Sequence, residues 1–349
     1  MGRLGLHAVD LFCGVGGLTH GLKMAGVPVV AGVDFDPICR FPFEVNNSAK
    51  FLHQDVAAMT GKELKALFPK SSLRILAGCA PCQAFSRYAR CNRTKDEDKW
   101  GLLNHFGRLV ADSRPEIVSM ENVPELQRET IFRNFVGTLE TAGYEVSYKN
   151  VFCPDYGVPQ HRTRLVLLAS LFGPLALEPP TQPIGAHRTV RQAISYLTPL
   201  KAGQADPNDP LHRSSRLTNI NLQRIRHSTP GGSWSDWPLR LVAECHKVES
   251  GKTYPSVYGR MEWDKPSPTI TTQFFGYGNG RFGHPVQNRA LSLREGAILQ
   301  SFPPDYHFFP PSTSPSFAAL GRLIGNAVPV RLGEVIGNSI VRHAEVFGK

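Results

Sequence analysis

The sequence lacks the features that would place it among membrane, disulfide-stabilised or zinc-binding proteins. Its longest apolar runs, such as Leu165–Ser170, are far shorter than the roughly 20 residues that a membrane helix needs. Its 7 cysteines are odd in number and scattered from Cys13 to Cys245, so no disulfide framework is expected. The single C-x-x-C, Cys79 with Cys82, has no second such pair to complete a zinc module, and we expect no bound metal.

Acidic residues are also in short supply, with 29 Asp and Glu against 39 Lys and Arg and a formal net charge of +10. This balance favours a polyanionic partner, although charge alone indicates only non-specific attraction. Residues 171–290 hold 14 Lys and Arg against 8 Asp and Glu, so much of the excess falls there. The 349 residues suffice for one large and one small globular domain. No secretory leader is apparent, and a reducing cytoplasm is the expected location.

A thiol on a tight turn is the centre of the predicted chemistry. The segment Ser72–Ala77 is typical of a buried strand, and Gly78 and Pro81 then end it, so Cys82 should lie at the carboxyl end of a strand. In open α/β sheets that edge holds the active site. A buried structural cysteine, or a redox pair of Cys79 with Cys82, is the alternative for such an isolated motif.

A glycine-rich loop near the amino end predicts a nucleotide-type site. A short strand at His7–Phe12 leads into the turn Cys13–Gly17, which a helix at Leu18–Ala25 follows. The next strand is predicted at Val27–Phe35 and has Asp34 near its end. Asp34 lies 20 residues after Gly14 in the sequence. An acid at that distance is suited to bind a ribose hydroxyl pair, although a turn-forming aspartate is the simpler alternative.

Two further segments place charged side chains near strand ends. Glu121 follows the apolar run Glu116–Met120, and a carboxylate in such a place is costly unless it is paired or used. If Gln160–Ala169 is one strand, Arg162 and Arg164 share a face because side chains alternate along a strand. Two arginines on one face would form an anion or carbonyl site; arginines on the surface beside a solvated strand end are the alternative.

These elements, taken in order, resemble the C5-cytosine DNA methyltransferases of the bacterial restriction-modification, Dcm-like type. The resemblance spans Asp10 to Pro329 and rests on motifs that are modest singly and specific together. They are the loop Asp10–Gly17, Pro81-Cys82-Gln83, Glu121-Asn122-Val123, the Gln-x-Arg-x-Arg run 160–164, and Gly325-Asn326-Ala327-Val328-Pro329.

The resemblance implies an α/β fold: a Rossmann-like S-adenosylmethionine-dependent methyltransferase sheet with a second, smaller target-recognition domain. It divides the chain into residues 1–174 (catalysis and cofactor), 175–290 (DNA reading) and 291–349 (hinge helix and return). Within the last part, Ser292 and Glu295 predict a capping box that opens a helix through Gln300. A final helix, Val330–Val346, should pack beside the amino-terminal segment.

The resemblance also implies the site. S-adenosylmethionine would be the methyl donor, contacted by Phe12, Gly14, Gly16, Gly17, Asp34, Phe35, Asp55, Val56, Pro81, Leu102, Asn326 and Ala327. Cys82 would add to C6 of a cytosine rotated out of the duplex, which makes C5 nucleophilic. Glu121 would donate a proton or a strong hydrogen bond to N3 of the base. Arg162 and Arg164 would hold the carbonyl of the base, the Glu121 carboxylate and the cysteine loop in register.

Double-stranded DNA is the implied partner, in some systems alongside a restriction endonuclease, and a nucleoid-associated monomer is expected. Gln83, Ser86 and Arg281 are the predicted DNA contacts. Arg281 lies in one of two stretches, 230–234 and 273–284, that combine glycine and aromatic residues; such loops suit a DNA groove, and equally a self-packed hairpin.

Two other functions remain open at this point. A tRNA cytosine methyltransferase would share the architecture, but those relatives typically carry a Cys-Phe-Thr element, which this sequence lacks. A catalytically silent DNA-binding homologue would be expected to have lost the nucleophile or the acid, whereas Cys82 and Glu121 are both present.

Overall fold

A computed structural model describes residues 5–81, 101–183, 185–253 and 255–347. The chain divides into two compact units. Unit 1 comprises Met1–Tyr156, Thr163–Thr181 and Ala327–Lys349, and unit 2 comprises Gly157–Arg162 and Gln182–Asn326. None of the helices within the described ranges combines the length and the apolar character that crossing a bilayer requires.

A seven-stranded sheet forms the centre of unit 1. Its strands are β1 (Gly5–Leu11), β2 (Val29–Asp34), β3 (Lys50–His53), β4 (Ser72–Gly78), β5 (Ile117–Asn122), β6 (Glu145–Phe152) and β7 (Thr163–Ser170). Their spatial order is β3-β2-β1-β4-β5-β7-β6. Strands β1 to β5 are mutually parallel, and β7 runs antiparallel between β5 and β6. This doubly wound sheet confirms the predicted α/β fold.

The strand order reverses beside β1, because the chain proceeds outward to β2 and β3 on one side and later returns to β4 on the other. The last residue of β1, Leu11, pairs with Val33 near the end of β2 and with Gly78 at the end of β4. The carboxyl ends of β1 and β4 therefore meet at one level. Ligands of open α/β sheets bind at such a switch point.

Helices cover both faces of the sheet in unit 1. They are α1 (Gly17–Met24), α2 (Arg40–Asn47), α3 (Gly61–Leu67), α4 (Leu102–Ser113), α5 (Thr130–Thr141) and, near the carboxyl end, α12 (Val330–Phe347). Helices α3, α4 and α5 pack in succession over one face, where Val9, Leu76, Phe106 and Phe135 are buried in a common core. Burial on both faces explains why the central strand β5 is buried at every residue and shows no alternation, whereas the edge strand β6 is largely exposed.

The predicted final helix is confirmed, and it packs on α1. Glycines allow the close approach: a Cβ on Gly21 would lie 2.3 Å from the Val330 carbonyl oxygen, and one on Gly333 would lie 2.9 Å from the Leu18 carbonyl oxygen. Both obstacles are backbone atoms, which cannot swing aside. The carboxyl end of the chain thus completes the unit in which the amino end begins.

Unit 2 has little regular structure. It contains a two-stranded ribbon, β8 (Ala205–Asp206) with β9 (Asp209–Arg213), and the short helices α6 (Val190–Ile194), α7 (Asn219–His227), α8 (Glu244–Lys247), α9 (Glu249–Lys252), α10 (Leu293–Leu299) and α11 (Phe317–Asn326). The capping box predicted at Ser292 and Glu295 is confirmed, because each side chain bonds the other residue's backbone N–H.

Arg289 and Glu295 form a buried ion pair within unit 2. The Arg289 guanidinium is fully buried and donates two 2.7 Å hydrogen bonds to the Glu295 carboxylate. Burial by itself would raise the pKa of Glu295, but the charge and hydrogen bonds of Arg289 prevail and lower it to about 2. Glu295 therefore has two functions, since the same carboxylate caps α10.

Two sequence expectations differ from the structure. A single strand from Gln160 to Ala169 was wrong at its start, because β7 begins at Thr163 and Gly157–Arg162 belong to unit 2, where Gln160 forms an isolated bridge with Ser267. The strand expected at Glu116–Met120 extends as β5 to Asn122, so Glu121 lies at the end of the strand but within it, paired with Val166 of the antiparallel β7. The unit boundaries also differ from the divisions at 174 and 290, since unit 1 continues to Thr181 and unit 2 continues to Asn326.

Candidate active site

The loop after β1 has the backbone conformation that only a glycine-rich sequence adopts readily. Phe12, Gly14 and Gly16 all have positive φ, at 57°, 52° and 89°. Gly16 caps α1, and Gly17 is the first residue of that helix. A Cβ on Gly14 would meet no atom within 4 Å, so the loop borders open space there. The predicted loop residues therefore form a backbone cradle at the amino end of an eight-residue helix.

Asp34 closes this cradle from the end of β2. Its Oδ2 accepts the Gly14 N–H at 2.8 Å and its Oδ1 accepts the Asp36 N–H at 2.9 Å. Burial raises the pKa of Asp34, and the two backbone hydrogen bonds oppose that shift. The adjacent Phe35 leaves 74% of its surface exposed, while its carbonyl oxygen lies 2.9 Å from Nε2 of His53. The Phe35 ring therefore faces solvent beside the fixed carboxylate of Asp34.

A second acid lies beneath the loop and was not among the predicted site residues. Asp10 is 1% exposed and accepts a 2.6 Å hydrogen bond from the Thr19 hydroxyl, which ties β1 to α1. Burial, with a smaller contribution from the nearby charge of Asp34, raises the pKa of Asp10 to about 7, although the Thr19 bond opposes the shift. Burial likewise raises the pKa of the Cys13 thiol. Both groups are therefore uncharged in mildly acidic solution.

The ends of the neighbouring strands carry the other predicted cofactor residues of unit 1. After β3, Asp55 accepts the Ala57 N–H at 2.8 Å and Val56 is buried in the core. After β4, Pro81 is exposed. Leu102 begins α4 and is partly exposed. All of them follow parallel strands of the sheet or begin the helix that leads to the next one.

The predicted pair Asn326 and Ala327 falls on the boundary between the units. Asn326 is the last residue of α11 in unit 2, and Ala327 is the first residue of the final segment of unit 1. The preceding Gly325 packs on the backbone of Thr271.

Glu121 is the best-defined member of the predicted catalytic group. It is 2% exposed, its Oε2 accepts a hydrogen bond of 2.9 Å from the Cys79 thiol, and its Oε1 lies 3.0 Å from Nε of Arg164. The Arg164 contact is an ion pair without hydrogen-bond geometry, so Oε1 has no hydrogen-bond donor among the residues that the structure describes. A buried carboxylate oxygen with unused acceptor capacity is costly for stability alone.

The two arginines of the Gln-x-Arg-x-Arg run have different surroundings. Arg164 lies on β7 beside Glu121, as its predicted role requires. Arg162 is buried in unit 2, where it donates to the Gln160 side chain at 3.3 Å and to the Ile270 carbonyl at 3.1 Å. The expectation that both lie on one face of one strand was wrong, because the strand begins between them.

Cys82, Gln83 and Ser86 lie outside the described residues. The chain is described up to Pro81, and there two adjacent residues of β5 hold it: Glu121 accepts from Cys79, and the Asn122 amide donates to the Ala80 carbonyl at 3.0 Å. Cys79 therefore contacts the predicted acid, whereas the sequence predicted only a structural or redox cysteine at this position. The signal that could have found it is its position one residue after β4.

The two glycine-rich stretches of unit 2 are brought together by a third segment. Isolated bridges connect Pro230 with Arg260 and Arg260 with Gly283, so the stretches flank residues 259–260. Arg281 is partly exposed, and its side chain passes over Gly259, where a Cβ would lie 2.9 Å from its Cγ. Arg260 is different, since it is buried and donates to backbone carbonyls, including that of His284 at 2.7 Å.

Much of the positive charge of unit 2 is used internally. Arg260 and Arg289 are buried, and Arg191 pairs with Asp264. Four exposed arginines, by contrast, have no hydrogen bond or ion pair with any described residue: Arg188, Arg216, Arg226 and Arg240. The surface available to a polyanion is therefore narrower than the composition suggested.

Comparison with solved structures shows the fold that the chain shares with known proteins. The chain is similar to an E. coli prophage-encoded DNA modification methyltransferase, with a TM-score of 0.71, 21% identity and coverage of 97% of this chain and 99% of that one. It is also similar to the Dnmt2 methyltransferase of S. pombe, with a TM-score of 0.62, 17% identity and coverage of 99% and 100%. These likenesses show that the chain shares the fold of those proteins, in agreement with the predicted α/β sheet.

Sequence comparisons then give the family. Residues 6–342 match the model of the C-5 cytosine-specific DNA methylases, and the chain belongs to that family. It is 54% identical over 340 residues to the Type II methylase M.HgiDII of Herpetosiphon aurantiacus, covering 97% of this chain and 95% of that protein. It is 28% identical to the Type II methyltransferase M1.HphI of Haemophilus parahaemolyticus, covering 97% and 87%. The protein is therefore a DNA cytosine-5 methyltransferase, and its family implies S-adenosylmethionine as methyl donor.

Proposed function

We propose that this enzyme methylates cytosine within a specific recognition sequence of double-stranded DNA. Cys82 would be the covalent catalyst, and Glu121 would be the acid that donates to N3 of the target cytosine. The observation that carries the proposal is the buried Glu121 carboxylate, whose Oε1 lies beside Arg164 with its hydrogen-bonding capacity unused by any described residue. The exocyclic amino group of a target cytosine would supply the donor that this oxygen lacks, and when Glu121 is protonated its carboxyl group would donate to N3. Positioned proton donation of this kind typically accelerates a reaction by about 10²- to 10⁴-fold.

The loop after β1 and the acid at the end of β2 fit S-adenosylmethionine. The positive φ angles of Gly14 and Gly16 open the backbone towards a ligand, and Asp34 is already held by two N–H groups in an orientation suited to a ribose diol. The exposed Phe35 ring suits the adenine. When bound there, S-adenosylmethionine would supply an electrophilic methyl group. We assign the same pocket Phe12, Gly17, Asp55, Val56, Pro81, Leu102, Asn326 and Ala327.

The reacting base would be handled by residues of unit 1. Cytosine C5 is a weak nucleophile until the Cys82 thiolate adds to C6, and this addition is easier if N3 receives a proton or a strong hydrogen bond. Glu121 is the group proposed to supply it, and Arg164 keeps the carboxylate in place by its charge. Loss of the C5 proton and β-elimination then release Cys82. The target atom is out of reach within a stacked duplex, so the base must rotate out.

Arg162 and unit 2 are assigned roles away from the reacting base. Because Arg162 donates to the Ile270 carbonyl, we assign it a positioning role for the segment around Thr269–Thr271, and no direct contact with the base. Unit 2 would read the DNA, with Arg281 as a contact at the junction of its glycine-rich stretches, and Gln83 and Ser86 would contact the opened duplex. The exposed, unpaired arginines would contribute phosphate contacts.

The biological setting that we infer is DNA modification in the bacterial cytoplasm by a monomer, in the manner of a Type II system. Its relatives M.HgiDII, a Type II methylase, and M1.HphI, a Type II methyltransferase, support this. A cognate restriction endonuclease would recognise the same word and be blocked by its methylation.

The test is methyl transfer from labelled S-adenosylmethionine to duplex DNA and, in parallel, to tRNA, followed by base-resolution mapping of 5-methylcytosine. We expect label in DNA alone, at cytosines of one repeated word. Cys82→Ser should abolish turnover but leave S-adenosylmethionine affinity, measured by calorimetry, within about twofold, because the thiol is not proposed to hold the cofactor. Labelling of tRNA alone would overturn the proposal, as would near wild-type turnover by Cys82→Ser.

A further inference from the structure

We propose that Cys79 is a positioning residue for the reaction: its thiol holds the Glu121 carboxylate in the orientation that the target base requires. This inference rests on the proposed function, because it gives Cys79 a role only through Glu121. The two residues are 42 positions apart in the sequence, and the Sγ to Oε2 distance is 2.9 Å. This contact leaves Oε1 for Arg164 and for the base.

The thiol itself is fixed by three strands. The Cys79 N–H donates to the carbonyl of Leu11, the last residue of β1, at 3.3 Å, which extends the pairing of β1 with β4 by one residue. Its side chain then reaches across to Glu121 on β5. The next residue is held as well, since the Ala80 carbonyl accepts from the Asn122 amide at 3.0 Å. The backbone positions that carry the thiol and the carboxylate are therefore both fixed by the sheet.

The ion pair with Arg164 and the hydrogen bond from Cys79 affect the Glu121 carboxylate differently. Arg164 supplies charge without a directional hydrogen bond to Oε1, and charge alone does not fix the rotation of a carboxylate about its last bond. The Cys79 hydrogen bond is directional and occupies Oε2, so it fixes that rotation. If it were lost, Oε2 would be a buried acceptor without this donor, and the carboxylate could turn towards Arg164 and away from the base.

The kinetic test is a double-mutant cycle on the full-length enzyme with Cys79→Ala, Glu121→Gln and the double variant. We expect Cys79→Ala to lower kcat about tenfold, the size expected for one hydrogen bond to a charged group, with KM for S-adenosylmethionine unchanged. Cys79→Ser, which restores an O–H donor, should recover most of the loss. In the Glu121→Gln background, single-turnover rates should show less than about a twofold effect of Cys79→Ala, because coupled residues are non-additive.

Two outcomes would overturn the inference, and a third would refute the proposed function on which it rests. Unchanged kcat in Cys79→Ala would remove the role, and an equal loss in both Glu121 backgrounds would mean that the thiol acts independently of the acid. Wild-type kcat in Glu121→Gln would instead refute the acid's part in the proposed function. Cys245→Ala is the matched control for removing a free cysteine, since Cys245 is exposed on α8 of unit 2.

A second readout is independent of turnover. The S–H stretching band of Cys79, isolated as the infrared difference between the wild type and Cys79→Ser, should lie at lower frequency in the wild type than in Glu121→Gln, because a weaker acceptor loosens the hydrogen bond. An identical band in both Glu121 backgrounds would show that the thiol does not donate to Glu121, even if both variants fold.

Discussion

Asp10→Asn should stabilise the protein in a pH-dependent way. Asp10 has its pKa raised from 3.8 to about 7, with burial as the main cause. Between these two values the folded state keeps a proton that the unfolded state has lost, so stability falls as pH rises through this window. One pKa unit corresponds to about 1.4 kcal/mol, so the ionisable side chain costs about 3 kcal/mol more at pH 8 than at pH 5. Asparagine carries no such penalty and still accepts from the Thr19 hydroxyl.

The measurement is urea unfolding of both proteins at pH 5 and pH 8, followed by circular dichroism. The variant's advantage over the wild type should grow by about 3 kcal/mol between the two pH values. Thr19→Val is the control: it removes the hydrogen bond at 2.6 Å but leaves the acid, so its stability should fall and the pH dependence should remain. An advantage that is equal at both pH values would refute the reasoning, since burial of the charge would then not be what Asp10 contributes.

Three further predictions concern the cofactor loop, the core of unit 2 and its DNA surface. Asp34→Ala should weaken S-adenosylmethionine binding at least tenfold in calorimetric titrations and DNA binding little, because the acid orients the Gly14 loop; equal weakening of both would contradict the pocket assignment. Glu295→Gln should cost about 3–5 kcal/mol of stability in urea at pH 7, read from tryptophan fluorescence, because Arg289 stays buried without its counter-charge; a loss below about 1 kcal/mol would count against that ion pair. DNA affinity should fall steeply with salt, and Arg281→Ala should lower the slope of log K against log salt by about 1; an unchanged slope would exclude a phosphate contact.

Acid should destabilise unit 2 through the same buried cluster. Burial lowers the pKa of His284 from 6.5 to about 4, so stability is lost as pH falls from about 6.5 towards 4, where only the unfolded state takes up the proton. Glu295, with its pKa lowered to about 2, loses its contribution between about 4.5 and 2. Both groups therefore lower the stability of unit 2 as the pH falls.

The sequence by itself determined the order of elements and the residues at the strand ends. The segment Val27–Phe35, for example, predicted β2 to within two residues at each end, because a mostly apolar, valine-rich run of this length is typical of a buried strand. It also determined the capping box at Ser292, because that motif depends on residues three positions apart. The glycine loop and Asp34 were predicted from their spacing of 20 residues, which spans the helix and the second strand of one strand–helix–strand unit.

Only the tertiary structure decided how distant residues meet. Arg162 and Arg164 are two positions apart and read alike, yet one is buried in unit 2 and the other pairs with Glu121, because the sheet begins between them. Cys79 shares no local pattern with Glu121; the two meet because β4 and β5 are neighbours. Local preferences act over a few residues, whereas the partners of a buried charge depend on which strands lie side by side.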